Sequence, residues 1–213
     1  MNVREMVWAE QEELRRLLAG LATEDWEQPS LCGDWKVRDV VAHLISMNEA
    51  GLLGLLRATA SISRFNSTEV VRRASLTPEE LLDAFEKVMG IRGLGRVVPP
   101  SAVLVEVFVH GQDIRRALGR RRDIAAERVL VLLPRAVSLA SHLPGFGFTG
   151  GRSRARGLRL RATDLGWSWG NGPEVSGAAE GLLLAVLGRP AALADLSGEG
   201  LPLLATRVAN PLD

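Results

Sequence analysis

The sequence predicts a mainly α protein, a four-helix bundle followed by a small α+β domain. Three observations carry this. Apolar residues recur at helical spacing through the first two-thirds of the chain, helix start and stop signals bracket those runs, and the pattern changes after Pro144 to short alternating segments.

Val3, Met6, Val7, Leu14, Leu17 and Leu18 define a first helix over residues 3–20 that stops at Gly20. A connector with Pro29 and Gly33 follows, and Asp34 is expected to cap a second helix from Trp35 to about Ala60. Thr77-Pro78-Glu79-Glu80 is a start signal: Thr77 caps, proline occupies the first helical position, and Glu80 closes a capping box. That helix runs to about Met89 before Gly90. Pro99-Pro100-Ser101 opens a fourth, which ends at Leu118-Gly119. A fifth stretch spans about Ile124 to Leu143, with Pro134 as a candidate kink.

Residues 144–157 are rich in glycine and arginine and read as a linker or long loop. Leu158-Arg159-Leu160-Arg161-Ala162 alternates apolar and basic residues as a half-exposed strand does, and Trp167-Ser168-Trp169 alternates again before the turn Gly170-Asn171-Gly172. Ala178 to Leu187 is a short helix stopped by Gly188, and the tail is one more small element. The domains are therefore placed at 1–150, the helical bundle, and 151–213, the α+β unit.

Composition excludes several function classes. A formal net charge of +1 gives no long-range attraction to nucleic acid or acidic membranes. Lysine occurs only at Lys36 and Lys87, a bias toward arginine that fits a GC-rich coding sequence better than an arginine-based binding surface. Cys32 is the single cysteine, so neither an internal disulfide nor a cysteine-rich zinc site is available. The first residues are charged and amphipathic rather than signal-like, and no run of about 18 uncharged apolar residues exists. A cytoplasmic protein is expected.

The chemistry concentrates on the fourth helix. Val103, Glu106, His110, Asp113 and Ala117 are spaced three, four, three and four, which draws one stripe along a helix, and apolar Val107 and Ile114 flank it. A carboxylate facing a core without a partner costs several kcal/mol, and a cation removes that cost. Glu106 and His110 lie one turn apart on one face and together suit one cation. Lys36, Val40, His43, Met47 and Ala50 repeat the spacing on the second helix, so His43 also faces inward. His43, Glu106 and His110 then form a His2Glu set with a fourth position open, as catalytic zinc sites keep it. Against this stand a core histidine at 43 and a plain helix ion pair between Glu106 and His110. Asp113 is assigned an outer role, orienting a ligand or pairing with Arg115 or Arg116. His142 is read as surface or packing, Cys32 as a small packing residue, and Trp35, Trp167 and Trp169 as core anchors.

Leu31-Cys32-Gly33-Asp34-Trp35-Lys36-Val37-Arg38-Asp39-Val40-Val41-Ala42-His43-Leu44 resembles the second-helix signature of the mycothiol-dependent maleylpyruvate isomerase family, within the DinB-like superfamily of metal-binding four-helix bundles. Glu106 to Asp113 resembles the family's second signature, and Thr163-Asp164-Leu165-Gly166-Trp167 with Gly188-Arg189 resembles its sterol-carrier-like C-terminal domain. The resemblance implies zinc, or another divalent metal such as nickel or iron, on His43, Glu106 and His110. It implies mycothiol, the small thiol of actinobacteria, as cosubstrate, and cis-trans isomerisation of maleylpyruvate. A basic residue of the C-terminal domain assists in that family, and Arg189 is its match here.

The expected enzyme is thus a zinc-dependent, thiol-using isomerase or S-transferase. Its partners are a small thiol and a small electrophilic substrate, not nucleic acid or membrane, and it is a monomer or homodimer. Metal-assisted hydrolysis without thiol is one alternative. A non-catalytic regulatory protein, in which Asp113 closes the coordination sphere, is another; a lipid-binding C-terminal unit is a weaker third.

Overall fold

The computed structural model describes residues 1–138 and 150–210. The chain divides into two compact units, Met1–Arg122 and Asp123–Asp213.

The first unit is helical: α1 (Val3–Ala19), α2 (Thr23–Trp26), α3 (Val37–Glu49), α4 (Leu52–Ala60), α5 (Ile62–Arg72), α6 (Pro78–Lys87) and α7 (Pro100–Ala117). Four of these close a ring. α1 packs on α6 and α7, and α3 packs on the same two from the other side. Leu14 and Leu18 of α1, Val40 and Leu44 of α3, Leu81 and Phe85 of α6, and Leu104 and Phe108 of α7 are all buried. Each such side chain contributes about 1.5–3 kcal/mol by leaving water. The expected boundaries of α1, α6 and α7 hold to within a residue or two, and the capping box at Thr77 and Glu80 forms. Where α6 stops, the Gln11 amide of α1 clamps Gly90, donating to its carbonyl at 3.2 Å and accepting its N–H at 2.6 Å.

The second expected helix differs. Its N-cap is Lys36, not Asp34, because the Asp39 carboxylate accepts the Lys36 N–H at 3.0 Å while Asp34 stays in a preceding turn. It also breaks at Ala50, whose backbone leaves the helical region before Gly51. Two shorter helices replace its end and the unassigned stretch beyond. Ser61 caps the second of these, α5, by accepting the Arg64 N–H at 3.3 Å. Buried Arg73, just past α5, ties it to α3 by pairing with Glu69 at 2.7 Å and with Glu49.

The second unit holds α8 (Ala126–Ser138), α9 (Gly151–Ala155), β1 (Arg159–Ala162), β2 (Ser168–Trp169), β3 (Glu174–Gly177), α10 (Ala179–Val186), β4 (Leu196–Ser197) and α11 (Leu201–Ala209). The sheet order is β2-β1-β3-β4, with β1 and β3 parallel and both edge pairs antiparallel. Leu160 lies opposite Val175, both fully buried, and α10 packs on this pair of strands. The compact units part at 122/123, not near 150, because α8 packs on α9 and α10. Part of the expected linker is the helix α9. Trp167 and Trp169 are half-buried rather than core anchors, whereas Trp26 is buried at 2% exposure. His142 and the expected end of the fifth helix lie outside the described residues. Among the described residues, no helix is long and apolar enough to cross a membrane.

The α8–α9 contact has little tolerance. A Cβ at Gly151 meets the Ala136 carbonyl oxygen at 2.2 Å. Gly151→Ala is expected to destabilise the protein by about 1–3 kcal/mol through overpacking, read by urea denaturation; unchanged stability would contradict the close approach.

Candidate metal centre

The site forms where α3 and α7 face each other. α7 is apolar on nearly every face, with Val103, Leu104, Val105, Val107, Phe108, Val109 and Ile114 buried around it. The polar residues at its centre are therefore largely withdrawn from water. Glu106 keeps 15% of its side chain exposed, His110 4% and Asp113 none. From α3, His43 enters at 2% exposure.

These side chains converge. His43 Nε2 stands 2.8 Å from Glu106 Oε1, and His110 Nε2 stands 3.5 Å from the same oxygen. The imidazole rings lie edge to face with centroids 4.9 Å apart. One donor atom from each of His43, Glu106 and His110 lies within 4.8 Å of the other two. The inward stripes on α3 and α7 thus meet at one carboxylate.

Supporting groups come from both sequence neighbours and a loop. Asp113, one turn along α7, holds His110 Nδ1 at 3.0 Å, so its carboxylate orients a ring of the cluster. Residues 28–37 fold back on themselves, with Ser30 donating its N–H to the Trp35 carbonyl and Val37 to that of Gln28. The Leu31 N–H donates to the Asp113 carbonyl at 3.2 Å, which pins this loop to α7. It delivers two residues to the histidines. The Trp35 ring lies 5.1 Å from the His43 ring and 6.4 Å from that of His110. Cys32, half-buried, brings its sulfur within 4.8 Å of donor atoms of His110 and Asp113. Both residues were read from sequence as packing groups. Their neighbours in the fold come from a loop closure that spacing along a helix does not encode.

The electrostatics are divided between the two histidines. Burial lowers the pKa of His43, and the nearby charge of His110 adds to this, so the ring is held neutral despite its contact with Glu106. Burial opposes charge on His110 as well. There the hydrogen bonds to Asp113, Cys32 and Glu106 outweigh it and hold the pKa well above the ordinary histidine value. Burial alone would raise Glu106, but its bonds to His110 and His43 keep it ionised.

Arg189, the other sequence candidate, belongs to the second unit. It follows α10, which ends at Val186, and donates to the Leu187 carbonyl at 3.4 Å. Its charge lies close enough to Arg154 to depress the latter's pKa further after burial.

Residues 7–92 match the family described as Mycothiol maleylpyruvate isomerase N-terminal domain. The match includes His43 and ends before α7. No curated protein matches the chain. Among solved structures, a mycothiol-dependent maleylpyruvate isomerase is similar with a TM-score of 0.63 at 15% identity, over 93% of each chain. A histidine-to-alanine mutant of a mycothiol-dependent maleylpyruvate isomerase gives 0.62 at 14%, again over 93% of each. At such identities the likeness establishes the fold.

Asp113→Ala leaves the buried His110 Nδ1 without its carboxylate acceptor. We expect a loss of about 1–3 kcal/mol in the metal-free protein, measured by chemical denaturation. A stability equal to wild type would show that this contact contributes nothing.

Proposed function

We propose that this chain, whose residues 7–92 carry the N-terminal domain of the mycothiol maleylpyruvate isomerase family, is a cytoplasmic enzyme that holds a divalent cation with His43, Glu106 and His110. With it the protein uses a low-molecular-weight thiol, mycothiol, to isomerise a small electrophilic substrate such as maleylpyruvate. Zinc is the first choice among zinc, nickel and iron for two imidazoles and one carboxylate.

One observation carries the reading: a largely shielded carboxylate flanked by two buried imidazoles from separate helices, with donor atoms mutually within 4.8 Å. The donor set passes a test of fit. His110 Nδ1 is held by a carboxylate, the arrangement that orients histidine ligands and leaves Nε2 for the metal. His43 Nδ1 is buried and forms no hydrogen bond, so the bond at its Nε2 is the one that ring makes toward the cluster.

When bound, such a cation supplies Lewis acidity that keeps a thiol in its thiolate form near neutral pH. The chain's own residues do the rest. Asp113 fixes the His110 ring, Trp35 covers the two imidazoles from the loop side, and the apolar walls of α7 exclude water. The isomerisation balances without a further reagent. Thiol adds across the conjugated double bond, the resulting single bond rotates, and elimination returns the alkene and the thiol. Arg189 supplies a guanidinium suited to a substrate carboxylate.

The geometry disfavours a purely structural ion. That reading expects Asp113 as a fourth ligand, yet Asp113 sits on Nδ1 of His110, opposite the Nε2 that approaches Glu106.

The test compares wild type with His43→Ala and Glu106→Ala. We expect wild type to retain a metal ion through gel filtration, by mass spectrometry of the elements, and to turn over maleylpyruvate only when mycothiol is present. Each variant should lose metal affinity by more than the roughly 10–100-fold that an outer-shell partner costs. Turnover by metal-free protein, or turnover without thiol, would overturn the proposal; the second result points to hydrolysis.

A further inference from the structure

Beyond the last turn of α3 the first unit carries a cleft of about 520 Å³, inside the range of roughly 300–1,000 Å³ that small-molecule sites occupy. One wall is the end of α3, with Glu49 and Ala50. The other is the short 3-10 helix Gly93–Val97 and the residue before it. The walls approach closely because residue 93 is glycine. Its φ is +48°, and a Cβ there would meet the Asn48 carbonyl oxygen at 2.5 Å and that of Met47 at 2.6 Å. On either side of this contact Arg92 and Arg96 line the cleft, together with apolar Leu94 and Val97.

The charges of the cleft do not cancel. Glu49 is already paired with buried Arg73, which also holds Glu69, and Glu69 meets Arg72 at 3.5 Å. Those two carboxylates and two guanidiniums balance one another. Arg92 donates its Nε–H to the Met89 carbonyl at 3.1 Å. Among the described residues, neither Arg92 nor Arg96 has a carboxylate partner, and both are exposed. Two guanidinium groups beside apolar side chains suit a small anion with a hydrocarbon body. A guanidinium grips a carboxylate through two parallel N–H bonds, which an ammonium cannot do.

The cleft also lies in line with the metal centre. Ala50 belongs to the α3 stripe that carries His43, seven residues on, which is about 10 Å along a helix. From the other wall, a Cβ at Gly95 would stand 3.2 Å from the Val103 side chain. Val103 precedes Glu106 by one turn on the α7 stripe. The two stripes that meet at Glu106 therefore run out at this cleft. A carboxylate held there stands about one small substrate's length from the cluster.

We propose that Arg92 and Arg96 bind a carboxylate of the small electrophilic substrate, and that the cleft is the subsite for that end of the molecule. The inference rests on the function proposed above. It makes the substrate an acid and places its anionic end within the first unit.

The experiment uses the full chain as wild type, Arg92→Ala, Arg96→Ala, Arg96→Lys and Arg64→Ala. Arg64 is an exposed arginine of α5 that does not line this cleft. Maleate is the probe, titrated by calorimetry into protein as purified and again after metal removal by a chelator. We expect saturable binding to wild type in both preparations. Arg92→Ala and Arg96→Ala should each weaken it roughly 10–100-fold. Arg96→Lys should fall in between, because it keeps the charge and loses the fork, and Arg64→Ala should match wild type. In thiol-dependent turnover both alanine variants should raise KM and leave kcat within about twofold, as loss of substrate binding does. Should Arg92→Ala unfold without its bond to Met89, Arg96→Ala carries the test, since no bond of the Arg96 side chain holds the fold among the described residues. Wild-type affinity in either alanine variant, an equal loss in Arg64→Ala, a lower kcat at unchanged KM, or no saturable binding by wild type overturns the proposal. Inorganic phosphate binding more tightly than maleate overturns the assignment to a carboxylate. If the purified protein holds no metal, or turns over without thiol, the reading of the metal centre fails instead. Maleate binding to the metal-free chain then still decides the cleft.

Discussion

The first unit is organised around a carboxylate set among apolar side chains, with 15% of its own side chain still exposed. Glu106 sits midway along α7, a helix whose other faces are filled by valine, leucine, isoleucine and phenylalanine. Keeping it ionised there requires compensation within reach, and two imidazoles provide it, one from its own helix and one from α3. That requirement sets the distance and rotation between α3 and α7. It explains why a helix that could have packed as a plain apolar rod carries Glu, His and Asp in register. Bundle and site are one arrangement: the ring α1–α6–α3–α7 brings α3 and α7 together, and the polar cluster determines how they meet.

Much of this was legible in sequence because helices project side chains with a fixed period. Residues 103, 106, 110, 113 and 117 define one stripe, and 36, 40, 43, 47 and 50 define another. A polar stripe flanked by apolar residues is informative wherever it lies, since only a partnered group is tolerated inside. The Thr77 capping box, the glycine stops and the β1 alternation are legible for the same reason: each is a local rule with a local signature.

What was not legible depends on contacts between segments distant in sequence. Asp34 has the chemistry of a cap, but Asp39 takes that role through the Lys36 N–H, and the helix begins later. Trp35 and Cys32 read as packing groups, and the loop closure onto the Asp113 carbonyl carries both to the histidines. α5 left a faint signal in Ser61 ahead of Ile62 and Phe65, but its docking is decided by Arg73 pairing with Glu69 and Glu49. The division at 122/123 is of the same kind, since α8 and α9 are brought together by a contact between Ala136 and Gly151 that no periodicity announces.

The unequal surroundings of the two outer ring nitrogens explain how the cluster stays polarised. Asp113 is held on Nδ1 of His110, whereas Nδ1 of His43 forms no hydrogen bond, and the histidines respond accordingly. The carboxylate sustains a proton on His110 against burial, while burial and the charge of His110 hold His43 neutral. The metal-free cluster therefore holds an ionised Glu106, a neutral His43 and a protonated His110. Under the proposed function, two of the three donors already present lone pairs, and only His110 must release a proton. Had both histidines carried carboxylate partners, two imidazoliums would have faced an incoming cation. Had neither, burial would have left Glu106 with too little positive charge nearby to stay ionised. A carboxylate on one ring and none on the other lets the metal-free cluster be shielded from water and still suit an ion.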